Sequence, residues 1–245
     1  MVLRVFSILS AVVLGLCVAE KLDLPVPTCK RDAANYTSCL KRAIIEVWPL
    51  FVKGLPAEFD FPPLDPSFYE YQHMVLDRGD LHAEVTASNV TIEGFEATHF
   101  VAVRPHYTDD IFRLEIDVRI PRLFIDGICE AHGSIGSFRM SGKGPFNMTV
   151  EGAKVTWDIT GSVIDDTWII NHFNLLPTIK KLKAHLNNLF DGNQEINELA
   201  TMFVNEYWPP IYRWGLPAAV ENWDKTYSDL LTRLFSKLSF SKVFP

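Results

Sequence analysis

The chain has 245 residues, of which 48% are hydrophobic, 12% aromatic and 22% charged. This composition is typical of a folded globular protein and excludes disordered, collagen-like and low-complexity chains. The formal net charge of −7 and the pI near 5.5 predict no basic face for nucleic acid and no polybasic anchor for an anionic membrane.

The first 19 residues have the pattern of a secretory signal peptide. Arg4 supplies the positive start, an apolar run follows, and residues 17–19 end it with small side chains. A membrane anchor is the alternative, but this run is shorter than the roughly 20 residues that a spanning helix needs. We therefore expect residues 20–245 to form a single secreted, extracellular domain without stable membrane insertion.

The N-glycosylation sequons and the cysteines are consistent with secretion. Three N-glycosylation sequons begin at Asn35, Asn89 and Asn147. A bridge between Cys29 and Cys39 would close a short loop near the mature N-terminus and leave Cys129 unpaired. One bridge in so long a chain does not replace a hydrophobic core.

The first predicted element is a helix over residues 39–51. It carries apolar side chains at helical spacing, from Leu40 to Phe51, and we expect Pro49 and the segment 54–56 to end it. A proline-rich connector follows over residues 59–66.

From about residue 69 to residue 160 the hydrophobic pattern has period two, which predicts antiparallel strands with one buried face. The clearest strand is 111–120. Repeated glycines predict a strongly curved sheet, and a slip of the pattern between Gly133 and Gly136 predicts a bulge. Around the sequons, an outward Asn147 places Phe146 and Met148 on the inner face, and an outward Asn89 places Val90 inside.

The last third has helical spacing. We expect a short helix over 180–190, a second apolar stripe from Ile196 to Trp208 that Pro209 and Pro210 interrupt, and a helix about 30 Å long over 218–238. The predicted layout is therefore α+β, with a helix, a long curved antiparallel sheet and a long helix.

The motifs of several enzyme classes are missing. The sequence has no Gly-x-Ser-x-Gly elbow, no Walker loop and no Gly-x-Gly-x-x-Gly that opens a helix. The segment 142–144 is better explained as a strand bend or turn than as a phosphate loop. The histidines are scattered and the pairs 109–110 and 165–166 look like turn carboxylates, so we expect no metal site, no cofactor and no catalytic residue.

What remains is an interior rich in large, soft side chains. On the inner face of consecutive strands we place Phe138, Met140, Phe146, Met148 and Trp157. An ordinary solid core would use the same residues. A sheet curled around a helix can also leave an elongated apolar cavity, which binds apolar ligands with few polar contacts.

In their order and spacing, several fragments together resemble the insect takeout and juvenile-hormone-binding protein family over essentially the whole mature chain. The fragments are 24–25, 29–31, 39–40, 53–56, 62–66, 89–94, 121–123 with Gly127 and Gly133, 142–144, 147–149, 189–193, 203–208 and 243–245.

The resemblance implies a long helix wrapped by a highly curved antiparallel sheet, with an internal hydrophobic tunnel for a terpenoid hormone, fatty acid or other long lipid. It implies a Cys29–Cys39 disulfide and an extracellular carrier that is not an enzyme. On this basis the expected ligand-binding residues are Trp48, Phe51, Cys129, Phe138, Met140, Phe146, Met148, Trp157, Phe203, Tyr207 and Trp208.

Two departures from the family pattern concern the ligand. Cys129 stands where the family usually has tyrosine, and Arg139 stands where it usually has proline. The cysteines for a second disulfide, which family members with hormone-transport roles tend to have, are also missing. These differences argue against juvenile hormone itself as the ligand.

Two other functions are open at this point. A secreted signalling or interaction protein would present its surface to an extracellular receptor and would need no ligand. A lipid-processing enzyme has no motif in its support.

Overall fold

The computed structural model describes residues 21–79, 81–135, 137–190 and 193–245. The predicted signal peptide lies outside the described residues. In chain order the elements are α1 (Tyr36–Lys53), β1 (Ser67–Arg78), β2 (Leu81–Glu93), β3 (His99–Thr108), β4 (Ile111–Ile135), β5 (Phe138–Ile164), β6 (Thr167–Leu175), β7 (Lys181–Leu186), α2 (Gln194–Ser236) and α3 (Phe240–Val243), with short 3-10 turns at Ala57–Phe59 and Phe95–Ala97.

The seven strands form one antiparallel sheet in the order β1-β2-β4-β5-β6. β3 adds to β4 beyond the end of β2, and β7 adds to β5 beyond β6. The helix α2 hydrogen-bonds to β1 at one edge of the sheet and to β6 and β7 at the other. One helix can reach both edges only if the sheet curls, which confirms the strongly curved sheet.

The alternation of buried and more exposed side chains along β4 shows which residues face the concave side of the sheet. Phe112, Leu114, Ile116, Val118 and Ile120 are all buried, as predicted, and the intervening charged residues lie on the outside.

The inward side changes at Pro121. Beyond it Leu123 is half-buried, whereas Phe124 is 39% exposed. The pairing register does not shift there, and Gly152, opposite Pro121, has φ +65°. A distortion in both strands at the same place thus turns the other set of side chains inward.

The predicted bulge after Gly133 is wrong, because Ser134 and Ile135 keep the pairing register with Arg139 and Phe138. The segment 142–144 is not a turn, because it lies inside β5 and pairs with 129–131 of β4. Its glycines let the chain at 187–189 approach, since a Cβ on Gly144 would lie 2.3 Å from the carbonyl oxygen of Asn187.

The predictions that rest on helix-breaking prolines have different outcomes. Pro49 does not end α1, which continues to Lys53. Only its bond to the carbonyl of Ile45 is lost, and Ile45 is 48% exposed, so water can satisfy that group. The predicted interruption near Pro209 and Pro210 is confirmed, because Tyr207 has non-helical backbone angles and α2 consists of two helical segments that meet at this kink. After a kink a proline stands in a first turn, where its missing N–H costs nothing.

The predicted helix over 180–190 is wrong, because Lys181–Leu186 forms β7 and pairs with Phe146–Glu151 of β5. Leu182 and Leu186 alternate with lysine and histidine, which suits a strand with one dry face. The predicted helix over 218–238 is the second half of α2, which ends at Ser236.

Candidate ligand-binding site

The concave face of the sheet has a closed end and an open end. At the closed end, Phe112, Val118 and Trp168 are at most 2% exposed and pack with α1 and α3. A second cluster joins Phe59 and Phe61 to the last turns of α2. Little space for a ligand is left there.

At the open end the same face is apolar but only half-buried. Across the strands, β-pairing aligns Met74, Val85, Ala131 and Gly142 in one row. The next row contains Gln72, Ala87, Cys129 and Gly144. Except for Gly144, which is buried, all of these positions are half-buried.

Small residues dominate these rows. A Cβ on Gly133 would meet only ordinary contacts, the nearest at 3.6 Å. Further along β4, the Phe146 ring lies against Gly127. A concave wall of alanine and glycine presents less side-chain volume than a wall of larger residues would.

One edge of the curled sheet is closed by polar side chains of α2. Asn205 accepts a hydrogen bond from the Ala184 amide and donates one to the Ala184 carbonyl, each at 2.8 Å. Thr201 bonds the backbone of Leu186 in the same way. These bonds satisfy the free edge of β7, as another strand would.

The seam continues along β6 and the loop between β6 and β7. Tyr212 donates to the Pro177 carbonyl at 2.6 Å, Asp224 accepts from the Phe173 amide at 2.6 Å, and Thr232 bonds Ile170. The opposite side of α2 reaches β1.

On the β1 side, a Cβ on Gly215 would lie 3.6 Å from the Met74 sulfur. Asn222 donates to the His73 carbonyl at 3.1 Å. Because α2 touches both β6–β7 and β1, it closes the curled sheet into a ring of strands and one helix.

The polar groups on this lining are neutral. Burial raises the pKa of the Cys129 thiol, with the nearby Glu130 adding to the shift. Burial also raises the pKa of Tyr227 well above its usual value, and its hydroxyl shares a 2.9 Å hydrogen bond with that of Tyr69, but Tyr227 packs against the clusters of the closed end. At the open end an apolar molecule would meet the thiol of Cys129.

The predicted site residues separate into three groups. Cys129, Phe146 and Met148 lie on the half-buried wall of the open end. Trp48 and Trp157 contact each other and Phe100 at the closed end, with ring centroids 5.3 to 5.9 Å apart.

The other predicted residues lie elsewhere. Phe51 packs on Phe61 in the second cluster. Phe203 and Tyr207 are exposed on α2, and Trp208 is half-buried beside Tyr212. The side chains of Phe138 and Met140 lie outside the described part of the structure.

Sequence reasoning missed the small-residue wall and the α2 seam. The alternation of Ala83, Val85 and Ala87 carried a signal for the wall, because it placed small residues on one face. The signal for the seam was a polar side chain at every fourth position on one side of α2, at Asn197, Thr201 and Asn205.

The other side of α2 carries an apolar stripe. Leu199, Met202 and Phe203 are 57–61% exposed, and helical geometry places them opposite the seam. With Tyr207 they line an open groove of about 560 Å³.

Other chemistry in the described residues is limited. Cys29 and Cys39 form the disulfide, and Cys129 is free. His172 and Ser228 both bind the carboxylate of Asp224 instead of each other, so they do not form a relay. Within the described ranges no group of three or more metal-ligating side chains comes together, and no helix has the length and hydropathy to cross a membrane.

Comparison with known proteins gives a family and a fold. The profile of the family described as "Haemolymph juvenile hormone binding protein (JHBP)" matches residues 8–245. The crystal structure of Epiphyas postvittana Takeout 1 superposes with a TM-score of 0.71 at 16% identity, over 89% of this chain and 98% of that one, which shows the same fold. A lipopolysaccharide binding protein matches over 80% of this chain and 39% of its own at 12% identity, with a TM-score of 0.35. Comparison with curated proteins gives no match.

Proposed function

Because the chain belongs to the haemolymph juvenile hormone binding protein family, we propose that it is a secreted carrier of a hydrophobic small molecule. The ligand, a terpenoid, fatty acid or other long lipid, occupies the space between the open end of the sheet and α2. In this proposal the protein binds and carries the ligand and does not catalyse a reaction.

One observation carries the proposal: the concave face is apolar at both ends but fully buried at only one. Val118 and Phe112 are shielded by protein, whereas Val85, Ala87 and Ala131 keep partial access to solvent. Burying such a surface under a lipid is worth roughly 25 cal/mol per Å² before ordering costs. The neutral lining selects apolar molecules.

The residues proposed to line the site extend from this wall to both ends. We keep Cys129, Phe146, Met148, Phe138 and Met140 as wall residues. Trp48, Phe51 and Trp157 then mark where the ligand space ends. Of the three predicted residues on α2, we keep the half-buried Trp208 as a ligand contact, whereas Phe203 and Tyr207 are exposed away from the sheet and are not proposed to contact the ligand.

A substitution that fills the open end tests the proposal. Ala83 lies on the wall beside Gly133, and Glu84 is the next residue on the outer face. We expect Ala83→Phe to weaken binding of a fluorescent fatty acid at least tenfold, because the ring takes the volume of the acyl chain. Glu84→Phe is the matched control and should bind like the parent chain.

Mass spectrometry of the purified chain should find a co-purified lipid. If organic extracts hold none, fluorescent lipids do not bind, and both variants behave like the parent, the carrier proposal fails. Cys129→Tyr gives a finer readout, since a hydroxyl on the wall should shift preference toward ligands with a polar group.

Secretion and glycosylation belong to the same proposal. Asn35 and Asn89 are exposed, and Asn147 is half-buried between β4 and β7. We expect the secreted chain to begin near residue 20 and to lose mass on deglycosylation. A cytosolic chain of full length would contradict this.

The alternative is an extracellular interaction protein with no ligand, and the exposed stripe of α2 is the observation in its favour. Loss of receptor binding in Leu199→Ser, in a protein whose extracts hold no lipid, would support it. A bound lipid displaced by Ala83→Phe would support the carrier instead.

A further inference from the structure

The outer face of the sheet carries a cluster of cations around Gly152. We call it the basic band, and it consists of Arg119, Arg122, Lys154, Lys180, Lys181 and Lys183, all exposed. Strand pairing sets their positions. Arg119 is opposite Lys154, and Glu151 lies between Arg122 and Lys181.

Lys180 is part of the basic band because it lies against Glu151 and Gly152 of β5. Its amide donates to the Glu151 carbonyl at 3.0 Å. Its side chain passes over Gly152, where a Cβ would lie 2.7 Å from it. The absent side chain at Gly152 thus gives the lysine room on the surface.

The charge density of the band is high for this molecule. By strand geometry, the rows from Arg119 to Lys183 cover about 17 Å along the strands and 10 Å across them. Six cations share this area with one carboxylate, Glu151, which lies 3.5 Å from Arg122. The whole chain has 23 Lys and Arg against 30 Asp and Glu, so the band runs against the overall balance.

Carboxylates bound the band at both ends along the strands. Toward one end, Asp117 is held by Arg104, and Asp158 by Arg113. Toward the other end lie Asp126 and Glu130. An extended anionic plane, such as a bilayer, would meet these acids as well. A narrow polyanion that runs across β4, β5 and β7 would meet the six cations with Glu151, and only beyond β4 would it approach Glu93, which lies opposite Phe124 on β2.

We propose that the basic band binds a linear sulfated polysaccharide, which lies across β4, β5 and β7. Sulfate groups spaced along a chain match cations spaced by strand separation. Single-stranded nucleic acid fits less well, because the described part of these three strands offers one exposed aromatic beside the band, Phe124, and such ligands use several stacking platforms. The band lies on the convex face, so this site is independent of the apolar ligand site.

The test measures binding of a heparin octasaccharide to the full secreted chain by calorimetry at several salt concentrations. Lys181→Gln with Lys183→Gln should lower the affinity about tenfold at 0.1 M salt and reduce the slope of log K against log salt by about two. Arg119→Gln with Lys154→Gln should do the same from the neighbouring strands. Lys30→Gln with Lys225→Gln, two exposed lysines elsewhere, is the matched control and should change the affinity less than twofold.

Binding of the fluorescent fatty acid should be unchanged in the band variants, which separates this site from the carrier proposal. The proposal is overturned if the parent chain does not bind the octasaccharide or if the control pair loses as much affinity as the band pair. Equal binding of the desulfated octasaccharide, of single-stranded DNA or of phosphatidylserine vesicles would overturn it too.

Discussion

At the scale of single residues, the glycines of the open end have different roles. Gly144 is required by close packing, since every near neighbour of an added Cβ is backbone of 187–188. That segment cannot withdraw easily, because it is hydrogen-bonded to β5 through Asn187 and Leu189. Gly133, on the neighbouring strand, has room for a Cβ, which would make only ordinary contacts at 3.6 Å or more.

We therefore predict that Gly144→Ala lowers the free energy of unfolding by about 2 kcal/mol or more, as a steric clash with backbone does. Gly133→Ala is the control and should change the free energy of unfolding by less than about 0.5 kcal/mol. Urea titrations followed by tryptophan fluorescence measure both. Equal midpoints for the two variants would contradict the close approach of 187–188.

Residue-level pattern was enough to predict the face that some residues occupy. The inward position of Phe146 and Met148 followed from alternation, and the structure places Phe146 against Gly127 and Met148 opposite Ile125. The contacts of Trp48 with Trp157 could not be predicted, because they join a helix and a strand more than 100 residues apart. Periodicity tells which face a residue occupies but not what that face meets.

At the scale of elements, α2 hydrogen-bonds to the free edge of β7, where another strand would otherwise pair. Asn205 is its central contact, with one acceptor and one donor on the backbone of Ala184. Without it, two polar groups at the edge of β7 would lose their partners. Leaving a buried backbone group unpaired costs about 1–3 kcal/mol.

Asn205→Asp separates these two bonds. The carboxylate can still accept from the Ala184 amide, but it cannot donate and it repels the Ala184 carbonyl. We expect a loss of about 2 kcal/mol in unfolding free energy at pH 7 and faster hydrogen exchange in β7. Glu206→Gln, at the exposed neighbouring position, should leave both unchanged; a variant at 205 that exchanges like the parent would argue against the seam.

The element that sequence reasoning misassigned shows the limit of local preference. Segment 180–190 contains three lysines and three leucines, which favour helices, yet Lys181–Leu186 pairs with the free edge of β5 as a strand. Tertiary pairing outweighs local preference there.

At the scale of the whole molecule, charge is distributed unevenly on the outer face. Arg104 binds Asp117 through both terminal nitrogens and Glu115 through Nε. The Arg104 hydrogen bonds, with one from Thr156, lower the pKa of Asp117 to about 2, and Arg104 likewise lowers the pKa of Glu115. Net composition shows neither this network nor the basic band.

Both carboxyls have a folded-state pKa below the unfolded one. Their stabilisation is therefore complete above about pH 4 to 5 and is lost as the pH falls toward 2. We predict that the urea midpoint falls across this window, and that Arg104→Gln lowers the midpoint at pH 6 and flattens its fall. Arg122→Gln, whose pair with Glu151 is 3.5 Å long and largely exposed, is the control and should keep the slope. An unchanged slope in the Arg104 variant would contradict the assignment.

The contrast between a closed and an open end also predicts where a ligand acts. Segment 112–118 is already shielded by α1 and α3, so its amides exchange slowly with or without ligand. The strands at 83–87 and 127–133 have a half-buried inner face and should open more often when no lipid covers it. We expect a saturating fatty acid to slow exchange in these two segments on the scale of seconds to minutes and to leave 112–118 unchanged. Ala83→Phe should show the slowed exchange without ligand, because its ring replaces the lipid. Equal slowing in all three segments would mean that binding stabilises the chain without occupying the open end.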